Sequence, residues 1–314
     1  MNLRIALPKT DLSVYPLCLG GNVFGWTANQ DESFAVLDEH HALGGNFIDT
    51  ADAYSAWKPG NSGGESEAII GAWMTKRGNR ADTVVATKVA KLATRPGLSR
   101  ANIVAACDDS LRRLQTEYID LYYAHEDDQT TPLEETMEAF DSLKQAGKIR
   151  YAAASNYTAE RLGRALAVSQ AGGWAGYVAL QNHYNLVERG EFEADSAPFL
   201  AESGISALPY FSLAMGFLSG KYQPGVEVSS GRSGGVEKYK TAHGWNVVSV
   251  LGQVAAELGT THSAVALAWL RANPVVSAPI ASARTVEQLR QIMPVVSLSA
   301  EQVARLNEAS ASAS

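Results

Sequence analysis

Only two cysteines, Cys18 and Cys107, occur in 314 residues. They show neither metal-ligand nor disulfide spacing, and both sit among apolar neighbours, as buried thiols do. Nor is there an apolar run approaching the length of a transmembrane helix. The first residues lack an apolar core followed by a cleavage site, so the cytoplasm is the expected compartment. Lysine and arginine never cluster, and the formal net charge is -7. That balance does not suit nucleic acid or an anionic membrane as a partner. His40, His41, His183, His243 and His262 form no metal-ligand spacing, so no metal is expected. No Gly-x-Gly-x-x-Gly follows the first strand, which argues against an open dinucleotide-binding sheet. There is no repeat longer than one strand–helix unit and no low-complexity tract.

Apolar residues make up 46% of the chain, ample for a large core. Residues 3–14 read as a hairpin, with Leu3, Ile5 and Leu7 alternating before the Pro8–Asp11 turn; it would plug the bottom of a barrel. Eight strand-like runs follow: Tyr15–Leu19, Asn46–Thr50, Asp82–Lys88, Ile119–His125, Ile149–Ala154, Tyr177–Gln181, Ile205–Tyr210 and Val275–Ala281. Helical patterns lie between them, including Asp31–Leu43, closed by Gly44-Gly45, and Glu65–Thr75. A stripe of Ile103, Cys107, Leu111 and Leu114 marks a helix that begins near Ser99. Another helix carries Leu133, Met137, Phe140 and Leu143. It is expected to start on a Thr131 N-cap, with Pro132 and a Glu134 capping box, and to end at Gly147. Such alternation predicts an α/β fold, a (β/α)8 TIM barrel forming one domain over residues 1–314. The loops Ser55–Ser66 and Tyr222–Gly244 are long and are expected to be lids on the carboxyl-end face. The Ala/Ser tail after Leu306 is expected to fray.

Chemistry-bearing residues stand at the ends of three consecutive strands. Asp49 and Tyr54 follow the second, Lys88 ends the third, and His125 ends the fourth. In a (β/α)8 barrel all carboxyl ends meet on one face, so these four side chains would converge. A phenol titrates near pH 10, roughly, and becomes a good proton donor near neutrality only beside a cation. Lys88 is that cation, Asp49 would hold it and offset its burial, and His125 would orient a carbonyl or share in proton transfer.

At this point the chain resembles the aldo-keto reductase family along nearly its whole length. The resemblance rests on Leu17–Gly25, Asn46–Tyr54, Ala86–Lys88, Asp120–His125, Ala154–Tyr157, Gln181–Leu186, Leu213–Tyr222 and Pro279–Leu289. It implies an NADPH-dependent oxidoreductase, with NADH as the alternative cofactor, in which Tyr54 donates a proton to a reduced aldehyde or ketone. It also implies that Asp49, Lys88 and His125 complete the catalytic group. Cofactor positions follow by similarity. Gly21, Asn22 and Asp49 lie at the early strand ends, and Ser155, Asn156 and Gln181 match residues that hold the nicotinamide carboxamide. Tyr210 matches the aromatic that stacks on its ring. Leu213, Gly216 and Lys221 lie on the loop that wraps the pyrophosphate. Ser282, Arg284 and Gln288 match the adenosine-phosphate site, where a guanidinium suits a 2′-phosphate. Gln291-Ile292 replaces the Glu-Asn of many relatives, and Ser212 replaces a proline. Phe24, Trp26 and Trp57 are candidates for the substrate pocket.

A second reading is a nicotinamide-binding regulatory or sensor subunit with slow turnover, as potassium-channel β-subunits resemble this family. A protein partner would favour it. A metal-dependent barrel hydrolase using Asp49 and His125 would require bound metal and chelator sensitivity. A monomer is the default expectation. The sequence identifies neither the substrate nor the physiological direction of the reaction.

Overall fold

The structure is a computed structural model that describes residues 3–226 and 233–311. Strands β1 (Ile5–Ala6) and β2 (Ser13–Val14) pair antiparallel as the hairpin. Eight parallel strands follow: β3 (Cys18–Gly20), β4 (Phe47–Asp49), β5 (Val84–Val89), β6 (Ile119–Ala124), β7 (Ile149–Ser155), β8 (Tyr177–Gln181), β9 (Ser206–Ala207) and β10 (Ile280–Ala281). Their order is β10-β3-β4-β5-β6-β7-β8-β9. The curl closes where Ala207 N–H donates to Val275 O at 2.7 Å and Ile280 N–H donates to Pro209 O at 2.8 Å. The helices are α1 (Gln30–Ala42), α2 (Glu65–Arg77), α3 (Arg100–Leu114), α4 (Leu133–Gln145), α5 (Ala159–Gly172), α6 (Ala197–Ser203), α7 (Ser233–Val236), α8 (Ala242–Glu257), α9 (His262–Ala272), α10 (Val286–Ile292) and α11 (Ala300–Ser310).

Strand periodicity sorts the core into two layers. Cys18, Phe47, Val84, Ala86, Leu121, Tyr123, Ala153 and Ala179 point into the barrel, where Leu7, Leu12 and Val14 of the hairpin pack against them. Leu19, Ile48, Val85, Val89, Tyr122, Ala154 and Leu180 point out to the helices. Successive strand side chains alternate faces. Asp49 therefore shares the inward face with Phe47, and Lys88 shares it with Val84 and Ala86. The pairing of Asp49 with Ala86 brings the carboxylate next to the lysine.

Most helices start where a short polar side chain takes up a free N–H. Asn29, Ser99, Thr158, Thr241, Thr261, Thr285 and Ser299 each accept from the backbone three residues on. The helix α4 departs from the sequence expectation. Its N-cap is Pro132, with no side-chain cap, because the Thr131 hydroxyl donates instead to Asp128 Oδ2 at 2.7 Å. The capping box with Glu134 does not form. Gly147 ends the helix as expected, at φ 72°. The tail also differs. The helix α11 continues to Ser310, whose hydroxyl accepts from Arg189 Nη1 at 2.7 Å, and Trp269 Nε1 donates to Asn307 Oδ1 at 2.8 Å. These contacts anchor the described part of the tail that was expected to fray, as far as Ser310; residues 312–314 lie outside the described residues.

Candidate active site

Lys88 is wholly buried and gives three hydrogen bonds. Its Nζ lies 2.6 Å from Asp49 Oδ2, 2.8 Å from Thr50 O and 3.0 Å from Tyr54 Oη. Tyr54 Oη in turn donates to Asp49 Oδ2 at 3.1 Å, and Gln181 Nε2 donates to Asp49 Oδ1 at 3.0 Å. Both carboxylate oxygens of Asp49 are thereby engaged. Burial lowers the Lys88 pKa, and the Asp49 carboxylate opposes that shift. The His125 ring stands 6.0 Å from the Tyr54 ring, at 71° to it. Burial, then the Lys88 and Lys91 charges, hold the His125 pKa well below its usual 6.5, so the imidazole is neutral at neutral pH. Its Nδ1 is buried without a hydrogen-bond partner among the described residues.

Backbone bonds lock the loop that carries Tyr54. Thr50 N–H donates to Ala86 O at 2.8 Å and Asp52 N–H donates to Lys88 O at 3.2 Å. Ser55 Oγ donates to Phe24 O at 2.7 Å, and Asn61 Nδ2 donates to Gly25 O at 3.2 Å. The Ser55–Ser66 stretch is thus stitched to the Phe24–Gly25 turn. Residues 227–232 of the other expected lid lie outside the described residues.

Above this group opens a cavity of about 1020 Å³. Asn22, Asp49, Tyr54, His125, Ser155, Asn156, Gln181, Tyr210, Leu213, Gly216, Lys221, Ser282, Arg284 and Gln288 all line it, as do Trp26 and Trp57. Three of the sequence-derived candidates lie off its wall: the wholly buried Lys88, Phe24 and Gly21. Phe24 is fully buried among core residues, because its strand-end turn faces the helices. Gly21 lies beneath the cavity floor, its N–H donating to Asp49 O at 2.7 Å; a Cβ there would come within 2.8 Å of Ser66 Oγ. Trp26 and Trp57 meet edge to face, ring centres 5.6 Å apart, and Trp57 touches the Tyr54 ring in the same way at 6.0 Å. Aromatic pairs favour this arrangement.

The far end of the cavity is built on strained backbone. Phe211, Ala214 and Met215 have φ of 52°, 47° and 58°, and Gly216 follows at 97°. Left-handed non-glycine residues cluster where a site over-determines the backbone. Ser282 Oγ donates to Asn22 Oδ1 at 2.7 Å. Arg284 gives its backbone N–H to Gln288 Oε1 at 3.0 Å, while its guanidinium makes no hydrogen bond or ion pair among the described residues. Sequence reasoning missed Lys91, Thr27, Phe211 and Ser263 on the wall. The strand-end rule reaches only residues that directly follow a strand; Thr27, Lys91 and Phe211 lie on loops, and Ser263 lies in the first turn of α9. It also missed Asn182, one residue past β8, where the rule applies. Among the described residues no group of three or more His, Cys, Asp or Glu side chains is arranged to hold a metal. No helix among them is long and apolar enough to cross a membrane.

Comparison with known proteins follows the same line. Residues 16–311 match the Aldo/keto reductase family. The chain is 36% identical over 305 residues to an uncharacterized oxidoreductase, YrpG, of Bacillus subtilis (strain 168), covering 93% of this chain and 90% of the relative. It is 32% identical over 310 residues to norsolorinic acid reductase B of Aspergillus parasiticus, covering 93% and 79%. It is 32% identical over 302 residues to a probable voltage-gated potassium channel subunit beta of Arabidopsis thaliana, covering 92% and 90%. The match supports oxidoreductase activity. With eight parallel strands and their helices behind it, the chain belongs to the aldo/keto reductase family.

Proposed function

We propose that this protein reduces an aldehyde or ketone to the alcohol with NADPH, Tyr54 donating the proton. The carrying observation is the buried Lys88 ammonium, 3.0 Å from Tyr54 Oη and 2.6 Å from Asp49 Oδ2, at the edge of a cavity also lined by His125. That arrangement concentrates positive potential where a carbonyl oxygen gains negative charge.

The residues present fit a nicotinamide dinucleotide. Ser155, Asn156, Gln181 and Tyr210 would hold its nicotinamide end, and Leu213–Lys221 would follow its phosphates. The unengaged Arg284 guanidinium, with Lys221, favours a 2′-phosphate and hence NADPH. When bound, the reduced nicotinamide supplies a hydride to the carbonyl carbon.

The chain's own residues do the rest. The neutral His125 ring offers one N–H to the carbonyl oxygen and fixes its direction. Tyr54 Oη turns its proton from Asp49 to that oxygen. The phenolate left behind is stabilised by the Lys88 ammonium until solvent returns a proton. One carbonyl, one NADPH and one proton thus give alcohol and NADP⁺. Trp26 and Trp57 would bound the substrate end and exclude water.

The test is NADPH oxidation, followed at its absorbance maximum, against a panel of aldehydes and ketones. Turnover with at least one supports the reading. A second reading draws on the Arabidopsis relative's name: a nicotinamide-binding regulatory subunit with slow turnover. Tight NADPH binding, no turnover across the panel and a co-purifying protein partner would favour it.

A further inference from the structure

Four successive strand ends are tied together by side-chain hydrogen bonds on the cavity floor. His125 follows β6, Asn156 follows β7, Asn182 follows β8 and Tyr210 follows β9. Asn156 is the hub. Its backbone N–H donates to Asn182 Oδ1 at 2.8 Å, its Oδ1 accepts from Tyr210 Oη at 2.8 Å, and its Nδ2 donates to His125 O at 2.8 Å. Asn182 closes a ring, because its carbonyl accepts the Tyr210 backbone N–H at 3.1 Å. The orientation of the Asn156 amide is dictated chemically: the His125 carbonyl can only accept, so the amide nitrogen must face it. Asn156 sits at φ 57°, a left-handed conformation that asparagine tolerates better than most residues.

We propose that the Tyr210 hydroxyl is a positioning group that acts through Asn156 on His125. The proposal rests on the reductase reading and deepens it. Stacking on a flat cofactor ring needs only an aromatic face, which phenylalanine supplies equally well. The hydroxyl is therefore free for another task, and it is spent on Asn156. Burial raises the Tyr210 pKa, so the phenol stays a donor at physiological pH. The other side of its ring is backed by His183, stacked at 5.5 Å and 17°. His125 is already held on one side by its N–H donating to Val89 O at 2.9 Å. The Asn156 bond to its carbonyl holds the other side and so aims the imidazole. Displacement of a catalytic group by about 1 Å can cost on the order of 100-fold in rate. A loosened backbone at His125 is expected to cost less.

The experiment is a double-variant cycle of Tyr210→Phe and Asn156→Gly; glycine suits the positive φ, so the backbone is not strained. Steady-state kinetics, NADPH binding by fluorescence titration and thermal melting are measured on all four proteins. Tyr210→Phe is expected to lower kcat/KM for the carbonyl on the order of tenfold, with the NADPH dissociation constant changed by less than about twofold. In the Asn156→Gly background the same change is expected to have almost no further effect on kcat/KM. A parent-like kcat/KM for Tyr210→Phe, or effects that multiply, would overturn the proposal. A second arm needs no turnover. In ¹⁵N-labelled protein without cofactor, the Asn156 side-chain amide protons are expected to exchange several-fold faster in Tyr210→Phe. Unchanged exchange overturns the link. If the parent reduces no carbonyl, the reductase reading fails while this arm still decides whether the hydroxyl holds Asn156.

Discussion

Lys88 Nζ and Asp49 Oδ2 lie 2.6 Å apart inside the barrel, with neither side chain more than 2% exposed. Each charge is tolerable there only because of the other. Removing one partner of a buried pair leaves an uncompensated charge, at a cost of about 3–5 kcal/mol. Lys88→Met and Asp49→Asn are each expected to destabilise by that order in urea unfolding at pH 7. The double variant should recover most of the loss while remaining inactive. Additive losses in the double variant would show that the two charges do not compensate each other.

Asp52 behaves in the opposite way. It is 1% exposed, and neither carboxylate oxygen has a hydrogen-bond partner among the described residues. Burial, then the Glu67 carboxylate, raises its pKa from 3.8 to about 7. Between those values the folded protein keeps a proton that the unfolded chain has released. The resulting stability is fully present below 3.8 and is lost as pH rises through about 7. Asp52→Asn carries no such penalty. Its stability relative to the parent should improve by a few kcal/mol, roughly, between pH 5 and pH 8. Denaturant unfolding at the two pH values measures this; a difference that does not change with pH contradicts it.

The hairpin plug should be a true part of the core. Leu7 is wholly buried beneath the barrel, beside Leu12 and Val14. Leu7→Ala is expected to cost about 2–5 kcal/mol, by lost burial and the cavity left behind. Urea unfolding gives the value, and a loss well below about 1 kcal/mol would mean that the plug is loosely packed.

Arg284 has a guanidinium with no partner among the described residues and a place on the cavity wall. Arg284→Gln is expected to raise KM for NADPH about tenfold or more and to leave KM for NADH nearly unchanged. Kinetics with both cofactors decide it. Equal effects on the two would remove the 2′-phosphate from the role of this residue.

The barrel and the convergence of Asp49, Tyr54, Lys88 and His125 were legible for one physical reason: strand periodicity. Alternation places Asp49 inward with Phe47, and Lys88 inward with Ala86, so the two strands deliver both charges to one point. Tyr54 and His125 follow as strand-end residues. Local chemistry was less legible. Thr131 has the spacing of a cap, but Asp128 competes for its hydroxyl, and nothing in the spacing reveals that. Composition suggested a frayed tail, yet Arg189 and Trp269, both far from it in sequence, hold α11 in place. Phe24 shares its turn with cavity residues, and only its side-chain direction separates core from pocket. The tail depends on contacts with segments distant in sequence, whereas the Thr131 cap is lost to a competitor only three residues away.

Tyr54→Phe is the most direct test of the central claim. The ring and its contact with Trp57 persist, and only the hydroxyl between Lys88 and Asp49 is lost. With a carbonyl that the parent reduces, kcat should fall by roughly 100-fold or more, the scale of a lost general acid, while NADPH binding by fluorescence titration stays parent-like. A variant that binds NADPH and retains the parent's kcat would contradict the assignment of Tyr54 as proton donor.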